Sequence, residues 1–390
     1  MTTTVPLIYS FPEFLGVADA VADLVISAQN QTLYNTTDQK QIELIKSGQL
    51  KRPSINKTNS SISVLNQSNG NNNLNNNGSS NHNSNSNINS INNTPNHSPS
   101  HSQSGLNFNN NKSSSSNTSN LNPNTNTSSS ISSSTSATTN NIEKNNKIKK
   151  EKKILKKQEI RFKIAISGGS LIKILNQGLL SKQDYIEWDK WDIYFADERL
   201  VPFNSPDSNY GQAKLEIFDH IKGDKKPKIF HIDETLIEDP QEAADDYEKQ
   251  LIQNFAKKDS VKLPMFDLLL LGCAPDGHIA SLFPNHGESL REKLAWCIPI
   301  ENAPSGPKNR ITLTIPVICH ASRVAFVVEG LTKAPIIKTI MERPEKGLPS
   351  SIVNEGAAGR VSWFVDDAAL NDLYDITKKK YKYLSIPEPK

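Results

Sequence analysis

The chain has 390 residues with 44 basic and 41 acidic side chains, a formal net charge of +3, so no strong field marks nucleic acid or a membrane surface as its main partner. Three cysteines, Cys273, Cys297 and Cys319, form no Cys-x-x-Cys pair and leave one unmatched; neither a disulfide framework nor a zinc site is expected, and a reducing, cytoplasmic setting fits best. No run approaches the roughly 18 apolar residues of a membrane span, and Met1 to Pro6 lack the charged start and apolar stretch of a signal peptide.

The first element in chain order is a helix over 11–28, where Phe14, Val17, Val21, Leu24 and Val25 recur at helical spacing. An amphipathic helix needs a core, and the next stretch does not supply one. From Ser54 to Ile142 Asn and Ser dominate and Lys57 and Lys112 are the only charged residues, so ordering would cost backbone entropy with little apolar burial in return. The stretch is expected to be disordered, an insertion within the domain to which the first helix belongs. Such an insertion is tolerated when its ends emerge near each other, because loop-closure entropy grows only logarithmically with length. An inert spacer is the plain reading and self-association the sharper one. The basic run Lys144–Lys157 reads as a solvated flank of the insertion rather than as a nucleic-acid contact. The expected division is an N-terminal helix region at 1–50, a disordered Asn/Ser-rich insertion with its basic flank at 51–157, and the main α/β part at 158–385.

After the insertion, strand and helix signals alternate. RFKIAIS (161–167), WDIYFA (191–196), KIFHI (228–232), FDLLLLG (266–272), RITLTI (310–315) and RVAFVVEG (323–330) read as strands. Segments 172–179, 210–218, 240–255 and 334–341 have helical spacing, and Pro240 suits a helix start. This alternation predicts a mainly parallel sheet with helices on both faces. In such sheets ligands bind beyond the carboxyl ends of the strands, which directs attention to four segments.

Ser167-Gly168-Gly169-Ser170 joins a strand to a helix; glycine backbone and helix-terminal amides suit a phosphate, although a glycine turn also occurs without a ligand. Asp197-Glu198-Arg199 crowds three ionisable groups at the next strand end, followed by a polar loop in which Ser208 or Asn209 can cap a helix. GCAPDGHIASLFPNH, 272–286, holds Asp276 and His278 in a tight turn, and a histidine oriented by a carboxylate is suited to removing a proton from water. Arg310 and Lys333 lie at strand boundaries, where with the glycine turn they can surround a phosphate dianion, against solvent exposure as the ordinary fate of such residues.

SGGS, FADERLVPFNSPDSNYG, FDLLLLGCAPDGHIASLFP, NRITLTIPVI, FVVEGLTKA and VSWFVDDAA stand in the order in which they occur in the 6-phosphogluconolactonases, and the chain resembles that family weakly over Phe11 to Val25 and well from Arg161 to Leu370. The resemblance implies a Rossmann-like α/β domain, related to glucosamine-6-phosphate deaminases, that works without metal or organic cofactor. It implies hydrolysis of a small sugar-phosphate lactone, 6-phospho-D-glucono-1,5-lactone, to 6-phosphogluconate in the oxidative pentose phosphate pathway. His278 then corresponds to the general base with Asp276 beside it, Asp197 and Arg199 to residues that orient substrate or base, and Gly168, Gly169, Ser170, Arg310 and Lys333 to the phosphate site. No nucleic acid or membrane partner is implied, and oligomeric state is left open. Two departures stand out: Ala274 replaces a usual Gly, and Ile279 replaces the Thr of DGHT.

Overall fold

The computed structural model describes residues 6–53, 159–256, 262–374 and 376–384; the expectations for the Asn/Ser-rich stretch and the Lys144–Lys157 run concern residues outside these ranges. The described residues belong to one compact unit.

The strands are β1 (Leu7–Phe11), β2 (Phe162–Ile166), β3 (Trp191–Phe195), β4 (Asp197–Arg199), β5 (Lys228–Phe230), β6 (Leu268–Leu271), β7 (Cys297–Ile300), β8 (Arg310–Leu313), β9 (Val324–Val328) and β10 (Val361–Asp366). The helices are α1 (Phe14–Tyr34), α2 (Gln39–Lys46), α3 (Ser170–Ser181), α4 (Asn209–Glu216), α5 (Pro240–Phe255), α6 (Gly287–Arg291), α7 (Ile315–His320), α8 (Ala334–Glu342) and α9 (Pro349–Gly356). Seven strands form one wholly parallel sheet in the order β1-β10-β9-β6-β2-β3-β5. The fold is therefore α/β with flanking helices.

Alternation along each strand divides the core into two layers, because successive side chains point to opposite faces. Phe162, Ile164 and Ile166 of β2, with Leu268 and Leu270 of β6, pack with Val17, Val21 and Val25 of α1 and Leu171, Ile174 and Leu175 of α3. Ala165, Leu269 and Leu271 face the other way, toward Tyr247 and Leu251 of α5, Val317 of α7, Ile337 of α8 and Val353 of α9. Helix starts follow their sequence signals: the Ser208 hydroxyl accepts from the Gly211 N–H at 2.9 Å, and Asp239 caps α5 ahead of Pro240.

Three departures from the expected elements matter. The first helix runs six residues further than 28, to Tyr34. Strands β1, β4, β7 and β10 add to those expected from sequence. Most important, RITL does not join the parallel sheet: β8 lies antiparallel between β4 and β7 in a separate three-stranded sheet. β8 connects to β3 through a hydrogen bond from the Leu313 N–H to the Ala196 carbonyl, 2.8 Å.

The chain places β1 and α1 against elements more than a hundred residues away. β1 pairs with β10 along its whole length, from Leu7↔Ser362 to Phe11↔Asp366. α1 lies on α3 so closely that a Cβ on Gly178 would stand 2.4 Å from the Ala18 carbonyl oxygen and 3.0 Å from the Ala22 Cβ. Backbone cannot retreat as a flexible side chain can, so overpacking here forces the helices apart. Gly178→Ala is expected to destabilise the fold by about 1–3 kcal/mol, measured by urea unfolding; an unchanged midpoint would show that α1 does not pack on α3 in this way.

Candidate active site

The strand order reverses at β2. The chain proceeds from β2 outward through β3 to β5, then returns to β6 on the other side of β2, and a crevice opens beyond the carboxyl ends where the connections diverge. The loops at that crevice are Ser167 to Ser170, after β2, and Gly272 to His286, after β6. The β4–β8 pair is tied to both loops through Asp197, which Ser167 and Ser281 bond.

Register explains which side chains of this pair share a face. Asp197 is opposite Thr312 and Arg199 opposite Arg310, so these four project to one face, while Glu198 projects to the other. Two arginines directly opposite would ordinarily repel. Arg310 is 2% exposed, and both burial and the facing Arg199 lower its pKa; guanidinium nevertheless remains charged in any accessible pH range. The pair is a concentration of positive charge with planar donors, chemically suited to an oxyanion.

Asp197, 3% exposed, provides the compensating negative charge. Its two carboxylate oxygens accept hydrogen bonds from the Ser167 and Ser281 hydroxyls, each at 2.8 Å, and Arg199 Nε stands 4.0 Å from Oδ2. Asn209 donates from Nδ2 to the Asp197 main-chain carbonyl at 2.9 Å. Glu198, on the opposite face, accepts from the N–H groups of Arg199, Asn209 and Tyr210 at 2.8, 2.7 and 2.7 Å, fixing the first turn of α4. Burial pushes its pKa up to about 7 against the lowering effect of those three donors.

His278 stands on the turn after β6. Its Nδ1 lies 2.7 Å from Asp276 Oδ1, which also accepts from the His278 backbone N–H at 3.1 Å. A carboxylate on Nδ1 favours the tautomer that leaves Nε2 as the acceptor. The imidazole packs on Phe283, ring centroids 4.4 Å apart, and the Arg310 guanidinium carbon lies 5.3 Å from the same ring. Burial lowers the His278 pKa, with Asp276 and Asp197 opposing and Arg310 reinforcing the shift. Lys333, on the short 3-10 turn after β9, is half-buried; burial lowers its pKa too, and Cys273, Asp276 and Glu329 are the groups acting on it in the opposite sense.

Asp197, Arg199, Asp276, His278 and Arg310 thus lie within electrostatic reach of one another, and Lys333 joins them on the Asp276 side. Gly168, Gly169 and Ser170 open α3 beside Asp197, with Gly169 at φ 71°. The two departures from the family motif leave this face intact. Ile279 is fully buried in the core, and Ala274 closes a tight turn through its N–H to the His278 carbonyl at 3.0 Å without needing a positive φ.

Sequence reading passed over Ser281, Thr312 and the buried role of Glu198. Ile279 and Leu282 exchange main-chain hydrogen bonds of 3.3 and 2.9 Å around a two-residue turn, with Ala280 held at φ 49°, a conformation costing an L-residue about 1–2 kcal/mol. That turn presents Ser281 inward, where its N–H meets the Thr312 hydroxyl at 3.3 Å. The signal available was the two-residue spacing of Arg310 and Thr312 on a strand.

Among the described residues no group of three or more His, Cys, Asp or Glu side chains is placed to hold a metal ion, and no helix is long and apolar enough to cross a membrane.

A crevice at the reversal of a parallel sheet, lined by a histidine–carboxylate pair and two facing arginines, defines an α/β protein with a site fit for small anionic metabolites. Residues 138–363 match the model of the family described as glucosamine-6-phosphate isomerases/6-phosphogluconolactonase, and the chain belongs to that family. It is similar to 6-phosphogluconolactonase-like protein 1 of Saccharomyces cerevisiae, 55% identical over 386 residues that cover 98% of each chain. It is 38% identical over 220 residues to 6-phosphogluconolactonase 3 of the same organism, covering 53% of this chain and 83% of that one. The solved 6-phosphogluconolactonase from Trypanosoma brucei, 26% identical, covers 59% of this chain and 92% of its own with a TM-score of 0.48.

One contact fixes the glycine turn against the rest of the site. A Cβ on Gly168 would stand 1.7 Å from Asn209 Oδ1, and Asn209 is itself 1% exposed. Gly168→Ala and Asn209→Ala are each expected to cost about 1–3 kcal/mol. Because the second change removes the atom that the first collides with, the double variant should be more stable than the sum predicts by about 1 kcal/mol. Strict additivity in denaturant melts would rule out the contact.

Proposed function

We propose that the chain hydrolyses 6-phospho-D-glucono-1,5-lactone to 6-phosphogluconate, with residues 1–50 and 158–385 contributing to one catalytic domain. The observation that carries this reading is the His278–Asp276 pair, whose imidazole shares the Phe283 ring with Arg310, itself opposite Arg199. Membership of a family described by two sugar-phosphate activities supports a sugar-phosphate substrate.

In this mechanism Asp276 holds Nδ1–H, and His278 Nε2 takes a proton from water as the water adds to the lactone carbonyl. Positive charge nearby stabilises the oxyanion that develops. Collapse of the tetrahedral adduct expels the ring oxygen, which leaves as the sugar hydroxyl after taking up a proton, and no covalent enzyme intermediate is required. The Gly168, Gly169 and Ser170 turn, Arg310 and Lys333 hold the phosphate, so binding energy remote from the carbonyl orients the reacting end. Asp197 and Arg199 orient substrate or base. The isomerase side of the family receives less support here: the ring face of His278 is covered by Phe283, and no second carboxylate is bonded to His278 among the described residues.

Freshly generated lactone supplied to the purified full chain tests this directly. Opening should be accelerated over buffer, and His278→Ala should lose about 10²–10⁴-fold in kcat, the usual value of general-base catalysis, while its circular dichroism melt stays close to wild type. An inactive wild-type chain, or one that instead consumes glucosamine 6-phosphate, would end the proposal.

The pH dependence follows from the direction of the histidine shift. The reactive form is neutral imidazole, and burial lowers the His278 pKa below the ordinary histidine value of 6.5. The acid limb of kcat/KM should therefore bend below pH 6.5 and level off above it. The same shift places its stability contribution in full above the unfolded value and removes it as pH falls through the lower folded value. An acid limb inflecting above pH 6.5 would argue that His278 is not the titrating base.

A further inference from the structure

Asp197 and Arg310 carry opposite charges, are 3% and 2% exposed, and act on each other electrostatically. Opposite charges screened by so little water attract strongly, yet the ion pair recorded for Asp197 is with Arg199, at 4.0 Å, and not with Arg310. Between them stands the Ser281 hydroxyl. It donates its one proton to Asp197 Oδ2 at 2.8 Å and accepts from Arg310 Nη1 over a longer 3.4 Å, using both senses of a group that is donor and acceptor at once.

The remaining bonds show what that spacing achieves. Arg310 Nε donates to the Pro307 carbonyl at 3.0 Å and Nη2 to the Ser305 carbonyl. Three of the five guanidinium N–H donors are thereby committed, and two remain for an incoming oxyanion. Each oxygen of Asp197 has one hydroxyl donor, Ser167 on one and Ser281 on the other. Ser281 is fully buried and held by its N–H to Thr312 and by the Ala280 turn at φ 49°, so it has no freedom to swing aside.

We propose that Ser281 is a positioning residue that keeps Asp197 and Arg310 from collapsing into a direct ion pair, so that Arg310 retains donors for the substrate phosphate while Asp197 stays aimed at the reacting end. The assignment rests on the phosphate-site reading above. Without the hydroxyl, Asp197 Oδ2 and Arg310 Nη1 each lose the partner that stood between them, and Arg199 Nε, 4.0 Å from Oδ2, is the other cation within reach.

The test measures inorganic phosphate binding by titration calorimetry, beside lactone kinetics, for the full-length wild type, Ser281→Ala, Ser281→Cys and Ser167→Ala. Ser167→Ala removes the other donor to Asp197 but touches no bond of Arg310. Ser281→Ala should weaken phosphate binding about tenfold, the equivalent of one hydrogen bond to a charged group, and lower kcat as well. Ser167→Ala should lower kcat and leave the phosphate Kd within about twofold of wild type. Ser281→Cys keeps the volume with a poor donor and should behave like the alanine variant; it decides the matter if Ser281→Ala does not fold. Wild-type phosphate affinity in either Ser281 variant, equal weakening in Ser167→Ala, or no phosphate binding by wild type overturns the assignment. A wild-type chain that binds phosphate but opens no lactone would instead sink the hydrolase reading and leave Ser281 to be judged on Kd alone.

Discussion

A carboxylate buried to 3% exposure must be satisfied from within the protein, and meeting that requirement for Asp197 draws most of the site together. One oxygen needs Ser167, which pins the glycine turn after β2; the other needs Ser281, which pins the loop after β6. The main chain of the same residue receives Asn209, the first residue of α4. Three segments far apart in sequence are thus tied to one short strand.

That strand carries two environments on its two sides. Asp197 and Arg199 face the crevice while Glu198 between them is withdrawn to hold the α4 first turn. The crowded charges of Asp-Glu-Arg therefore divide between chemistry and scaffolding. Burial raises Glu198 and depresses His278, the same desolvation acting with opposite sign on an acid and a base.

Five of the seven strands of the parallel sheet were legible because they are short apolar or aromatic runs separated by amphipathic helices; β1 and β10 were not. Nor was the second sheet. β4 is three residues long and wholly charged, and β8 reads like any buried strand; only the register with β4 reveals that it lies outside the main sheet. His278, Asp276, Asp197, Arg199 and Arg310 were visible because ionisable residues at strand ends are costly unless used. Ser281 was not singled out and Ser167 was named only as the start of the glycine turn, since serine is common in turns and only the bond to Asp197 distinguishes these two. Ile279 looked like a change to the site, but its side chain belongs to the core.

The two chain ends that border residues 54–158 are secured by ordinary surface contacts at the far rim of the sheet. Arg52 donates to the Thr32 carbonyl at 2.6 Å, Lys46 meets Glu187 at 2.9 Å, and Glu159 pairs with Arg161 at 3.6 Å and with Lys190 just before β3 begins. The first fifty residues consequently reach their place through the β1–β10 ladder and the α1–α3 seam rather than through the connecting peptide. A chain cleaved between Pro53 and Glu159 would then behave as a two-fragment complex, its halves joined by one edge strand and one helix, and the crevice at the opposite end of the sheet would be blind to the cut.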